Sequence, residues 1–259
     1  MRPLTLTALP GLPMIQPGDD LAALILEAMQ RAGLQLEPSD IFVLAQKIVS
    51  KAEGRKVNLA TVTPSPRAAK LGAEIEKDPR LIELILQESD GQVLRTRPGL
   101  IIVEHRLGFV CANAGIDHSN VAGDEEWVLL LPENPDASAE GLRQQLEAML
   151  SVRVGNSPDL GVMIIDSHGR AWRNGTVGVA IGISGLPGVV DLRGQPDLTG
   201  RILQVTQVGV ADELAAAASL VMGQAAEGTP VVHVRGFPYP LRDGKLKELI
   251  RAKETDLFR

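Results

Sequence analysis

Apolar positions recur along this chain at two spacings, one helical and one extended. After Asp19-Asp20, residues Leu21, Leu24, Ile25, Ala28 and Met29 keep a helical period, with acidic residues at the favourable N-terminal end and Gly33 as a stop. The same period predicts helices over Ser65 to Lys77 and over Pro79 to Ser89, where Pro79 suits a first turn. Two more helices are predicted, one capped by Ser138 and running to about Leu150, and an alanine-rich one from Asp212 to Met222. Compact apolar runs predict strands at Leu4 to Leu9, Ile41 to Ala45, Leu100 to Val103, Phe109 to Ala112 and Trp127 to Leu131. Leu160 to Ile165, Ile202 to Thr206, Val231 to Val234 and the short Val93 to Leu94 complete the set. Val177 to Val190 is dense in glycine, and each glycine disfavours a helix by about 1 kcal/mol relative to alanine. That segment is read as bends and close backbone approaches. Strands and helices do not alternate regularly, so the pattern predicts an α+β fold with mixed sheets and flanking helices.

The 259 residues are 44% hydrophobic and 22% charged, enough apolar surface for a substantial core in a globular enzyme. Aromatics are only 3%, which leaves no platform for stacking unpaired bases. A net charge of −6 removes the broad basic footprint of a nucleic-acid binder, so nucleic acid is not an expected partner. With Cys111 as the single cysteine, neither an intramolecular disulfide nor a cysteine-rich zinc site is available. No leader-like stretch opens the chain and no apolar run approaches a membrane span, so the expected location is the cytoplasm, with no membrane partner.

Four segments carry candidate chemistry. Gln46-Lys47 and Ser50-Lys51-Ala52-Glu53-Gly54-Arg55 place three cations just after a buried strand, suited to polyphosphate or to a solvated charged turn. Asn113-Ala114-Gly115-Ile116-Asp117-His118-Ser119-Asn120 offers oxygen ligands for magnesium or manganese, although Asn and Asp also favour plain turns. Asp166-Ser167-His168-Gly169-Arg170, with Arg173 close behind, reads as a strand-end turn with a metal carboxylate. Its arginines are candidates for binding carboxylate in a bidentate fork. Met222-Gly223-Gln224-Ala225-Ala226-Glu227-Gly228 either lets backbone N–H groups approach phosphate or serves as a helix C-cap. Neither common glycine-rich nucleotide fingerprint occurs in the chain. His105 and His233 sit in apolar strand settings and read as structural.

Together with Gly11-Leu12-Pro13, Gly178-Val179-Ala180-Ile181-Gly182-Ile183-Ser184-Gly185 and Val210-Ala211-Asp212-Glu213, these segments resemble the coenzyme F420 gamma-glutamyl ligase family, in order, from about Leu9 to Arg235. The resemblance implies a two-lobed protein, with lobes near 1–152 and 153–259, forming an intertwined homodimer. It implies an acid–amine ligase that uses GTP and a divalent metal, Mg or Mn, with a monovalent cation such as K as a further candidate. L-Glutamate would be joined to the carboxylate of the deazaflavin coenzyme precursor through an acyl phosphate, with further gamma-linked glutamates in some members. By the same resemblance Asp117, Asp166, Ser167 and Gln224 hold metal; Ser167 stands where the family often has Thr, and Gln224 where it often has Glu. Nucleotide contacts fall on Gly11, Leu12, Pro13, Met14, Gln46, Lys47, Lys51, Asn120, Met222, Gly223, Gln224, Ala225, Ala226, Glu227, Gly228 and Thr229. Three other readings stay open: a ligase of the same scaffold with another acid or amino acid, a metal-dependent nucleotide phosphohydrolase, and a nucleotide sensor without turnover. His118 is a candidate base by its chemistry alone.

Overall fold

The structure is a computed structural model that describes residues 3–118, 126–150 and 159–257. In chain order its regular elements are β1 (Thr5–Ala8), α1 (Leu21–Arg31), β2 (Ile41–Ala45), α2 (Gln46–Ala52), β3 (Lys56–Asn58), α3 (Pro66–Ile75) and α4 (Pro79–Glu88). Then come β4 (Val93–Arg97), β5 (Leu100–Glu104), β6 (Val110–Ala112), β7 (Trp127–Leu129), α5 (Pro135–Ala148), β8 (Gly161–Arg170) and β9 (Arg173–Ser184). The chain closes with β10 (Val190–Asp191), β11 (Gln207–Val208), α6 (Val210–Met222) and β12 (Val231–Arg235). The class is α+β with several sheets, as the pattern predicts.

A five-stranded sheet in the order β1-β12-β2-β8-β9 organises the molecule. Only β2 and β8 run parallel; the other neighbours are antiparallel. The central strands are buried on both faces, which is why Ile41 to Leu44 and Val162 to Ile165 read as unbroken apolar runs. Phe42, Leu44, Val162 and Ile164 face α1 and α5; Ile41, Val43, Met163 and Ile165 face α6. A separate cluster packs α3 and α4 against Ile101, Val103 and Val128 of the smaller sheets β4-β5-β6 and β3-β7.

Several expectations change. The helix expected from Ser138 begins at Pro135, because the Asn134 side chain accepts from the Ala137 N–H and proline fits the first turn. The polar stretch after Ala45 is the short helix α2 rather than a charged turn. Asp166 to Arg170 is no turn: β8 continues through it, paired along β9. Ile202 to Thr206 is not a strand; Ile202 makes one isolated bridge to Pro196, and its apolar neighbour Val205 is exposed. The glycine-rich segment is mostly strand β9, but its close approaches are real and lie within this chain. A Cβ on Gly178 would lie 2.5 Å from the Ser219 Cβ of α6, and one on Gly182 would lie 2.5 Å from Pro135 of α5. The missing side chains therefore let two helices sit against β9.

Candidate functional site

The C-terminal end of β2 and the middle of β8 open onto a cleft of about 410 Å³, within the range of small-molecule sites. Leu12, Pro13 and Met14, then Gln46, Lys47 and Lys51 of α2, Asp166 and Ser167 of β8, and the loop from Met222 to Thr229 line it. Segments more than 200 residues apart in sequence thus converge on one space. Gly11 is not part of the lining; its carbonyl accepts from Arg31 Nη2 at 3.1 Å. Asn120 lies outside the described residues.

The α2 wall is cationic and incompletely satisfied. Gln46 is 1% exposed; its Oε1 accepts from Ser50 Oγ at 2.9 Å, while Nε2 has no partner among the described residues. A buried donor without a partner is expensive unless a ligand supplies the acceptor. Lys47 Nζ lies 2.8 Å from Asp117 Oδ2, and Asp117 is held in place by backbone hydrogen bonds in both directions with Leu129. Burial pushes the Lys51 amine below its ordinary value, and repulsion from Lys47 and Lys56 lowers it further. Lys56 in turn rests over the Trp127 ring, 4.3 Å from its centroid. Cations crowded this way suit a polyanion.

The β8 wall supplies oxygen. Asp166 Oδ2 is 3.1 Å from His168 Nε2, and the His168 ring meets Phe109 at 5.2 Å, which itself stacks on His105 at 5.0 Å. Ser167 Oγ donates to Gln224 Oε1 at 2.7 Å, and Gln224 Nε2 donates to Ser219 Oγ at 2.7 Å. That chain turns the amide oxygen toward Ser167. Among the described residues no three His, Cys, Asp or Glu side chains form a metal cage. The touching oxygens of Ser167 and Gln224, and the Asp166 carboxylate that lines the same cleft, are nevertheless hard donors of the kind magnesium uses when substrate phosphates complete its shell. The donor set therefore fits a phosphate-shared divalent ion. Burial, and then the nearby Asp166 charge, push the Cys111 thiol up to about 12, which disfavours the reactive thiolate.

Arg170 and Arg173 stand at the exposed tip of the β8–β9 hairpin and do not line the cleft. His118 is exposed and likewise absent from the lining. His105 and His233 are buried, with Leu107 N–H donating to His105 Nδ1 and His233 Nε2 3.0 Å from Asp40, in keeping with structural roles. Ser219, Ile48 and Ile165 belong to the site but carry no signal in the sequence, since each sits inside an ordinary apolar or alanine-rich run.

An α+β fold with a cleft of lysines and oxygen donors at the strand ends of its main sheet has its candidate small-molecule site where such sheets commonly place one. The chain belongs to the family described as F420-0:Gamma-glutamyl ligase, whose model matches residues 11–236. It is 47% identical over 258 residues to a Methanothermobacter thermautotrophicus protein named Coenzyme F420:L-glutamate ligase, covering 99% of each chain. Proteins of the same name from Methanopyrus kandleri and Archaeoglobus fulgidus are 46% and 43% identical. The first alignment covers 95% of this chain and 93% of the relative, the second 96% and 94%.

Proposed function

We propose that this protein is a GTP-dependent ligase that forms an amide between L-glutamate and the carboxylate of the deazaflavin coenzyme F420 precursor. The observation that carries this reading is the meeting, in one cleft, of Lys47 and Lys51 with the oxygen donors Asp166, Ser167 and Gln224. The names of the relatives supply the substrate pair. A carboxylate does not condense with an amine unaided. The γ-phosphoryl passes to the acceptor carboxylate, giving an acyl phosphate and GDP; the glutamate amine then attacks the acyl carbon, loses a proton and expels phosphate. Lys47, Lys51 and the Gln46 Nε2 donor hold the polyphosphate, and the loop from Met222 to Thr229 closes over it. Divalent metal held by the carboxylates Asp117 and Asp166 and by the oxygens of Ser167 and Gln224 would neutralise part of the charge gathered there. Otherwise the chain mainly orients the reactants and excludes water.

We also read the active form as a homodimer. The family resemblance suggests it, and Leu198 at 107%, Val205 at 85% and Leu220 at 86% exposure leave apolar surface for a second copy. GDP release measured with precursor, with and without glutamate, tests the reaction. It should depend on glutamate and yield a product heavier by one glutamyl residue. Asp166→Asn should lower turnover at least a hundredfold, on the scale of losing a charge-stabilising group, with the fold retained. Glutamate-independent GDP release would make the protein a phosphohydrolase instead.

A further inference from the structure

The tip of the β8–β9 hairpin gathers three features that folding does not favour. Arg170 and Arg173 are direct cross-strand partners, both are exposed, and neither side chain has an ion pair or hydrogen bond among the described residues. Like charges so placed destabilise a strand pair. Between them Trp172 takes a φ of 63°, a left-handed conformation that bulky side chains rarely adopt. A turn chosen for geometry alone would carry glycine or asparagine there. The Trp172 side chain finds no shelter in return, being 87% exposed.

An aromatic face beside two unpaired guanidinium groups matches one kind of ligand: a flat heteroaromatic ring with an anionic arm. The ring stacks on the indole, and the forked donors take the anion's oxygens. Position agrees with that use. Asp166 in the cleft and Arg170 at the tip lie on the same strand, four residues apart, roughly 13 Å at about 3.3 Å per residue. An elongated acceptor with its carboxylate at Asp166 would carry its ring outward along the hairpin. We propose that the tip binds the acceptor, the deazaflavin ring on Trp172 and the anionic arm on Arg170 and Arg173. This deepens the ligase reading and rests on it.

Trp127 and Trp172 are the only tryptophans, so Trp127→Phe leaves Trp172 as the sole indole reporter. In that background, titration with coenzyme F420 should quench emission saturably, after correction for absorption by the ligand. In the otherwise unaltered protein, Trp172→Ala should raise the KM for the precursor at least tenfold while leaving the KM for GTP within twofold. Trp172→Phe should keep most of the affinity, and Arg173→Gln should behave like the alanine variant. An unchanged precursor KM in Trp172→Ala would overturn the proposal. So would dissociation of that variant, by light scattering, at concentrations where the parent protein is a dimer, since the tip would then be an interface. If the unaltered protein releases no GDP in response to glutamate, the ligase reading itself fails, an outcome distinct from either of these.

Discussion

The two ends of strand β2 treat their polar groups in opposite ways. Asp40, just before β2, is fully buried and accepts from Arg235 Nε and Nη2 at 2.7 Å each and from Glu37 N at 2.9 Å, with His233 Nε2 at 3.0 Å. Burial alone would raise its carboxyl; the hydrogen bonds from Arg235 and His233 outweigh that and hold it below its ordinary value. Gln46, just after β2, is equally buried, yet its Nε2 finds no partner among the described residues, and the Lys51 amine one turn on is depressed. At one end the carboxylate oxygens are completed by the chain itself, although His233 Nε2 beside them lacks a well-aligned hydrogen bond. At the other a buried donor is left without an acceptor among the described residues. A buried polar group with its partners in place speaks for stability; one without them, beside crowded cations, marks a binding site.

If this contrast holds, the largest effect on stability belongs to the satisfied end. Asp40→Ala removes the carboxylate beside His233 and two of the hydrogen bonds of Arg235, which keeps Glu37 and the Gln35 carbonyl, and should lower unfolding free energy by about 1.5–3 kcal/mol in urea titrations, the range for losing hydrogen bonds to a charged group. The pH dependence has a definite sign. Asp40 binds its proton more weakly folded than unfolded, so its contribution is complete above the unfolded value near 3.8 and fades as pH falls through the lower folded value. Glu88 behaves alike: burial opposes ionisation, but His105, Arg55 and Arg106 hold its carboxyl at about 2. Acid unfolding should therefore set in below about pH 4, with a shallower limb in Asp40→Ala than in the parent. A stability loss below about 1 kcal/mol would erase the distinction between the two ends.

The unsatisfied end predicts a different split between binding and stability. Lys51→Ala should weaken GTP binding by about 1.5–3 kcal/mol, the scale of a charge-assisted hydrogen bond, measured by calorimetry. The same change relieves the repulsion from Lys47 and Lys56, so the ligand-free protein should melt at the same temperature or higher. Unchanged GTP affinity with a lower melting temperature would make Lys51 an ordinary structural lysine.

Burial on both faces made β2 legible from Ile41 to Ala45 without help from any relative, because an unbroken apolar run has few other solutions. The continuation of β8 through Asp166 to Arg170 was not legible: beyond the core, backbone pairing with β9 holds the strand, and pairing leaves no hydrophobic trace. Helix α2 escaped for a related reason, having seven residues and no side-chain cap at Ala45. The arm near Ile202 misled in the opposite direction, since its apolar residues are exposed and carry no strand. For the cleft, the sequence supplied Lys47, Lys51, Asp166 and Gln224 as separate hints, and only the fold brings them together. The glycines of β9 announced close approaches but not their targets, which are Ser219 and Pro135 of the same chain.

Ser219 is the least visible member of the site and yields the finest test of the contrast. It lies in α6 five residues before Gln224, is nearly buried, and its Oγ accepts from Gln224 Nε2 at 2.7 Å. With the amide nitrogen held there, the amide oxygen is the atom left facing Ser167. An amide has one oxygen to offer, so its orientation decides whether the cleft meets an acceptor or a donor. Ser219→Ala removes the group that fixes that choice and should weaken Mn2+ binding by about 1 kcal/mol, the net worth of a neutral hydrogen bond, or roughly fivefold. Binding can be read from the paramagnetic signal of the free ion, independently of turnover. In a Gln224→Glu background the same substitution should have no such effect, because a carboxylate presents oxygen in either orientation. Equal losses in both backgrounds would mean that Ser219 only packs α6 beneath Gly178 and leaves the direction of Gln224 to other contacts.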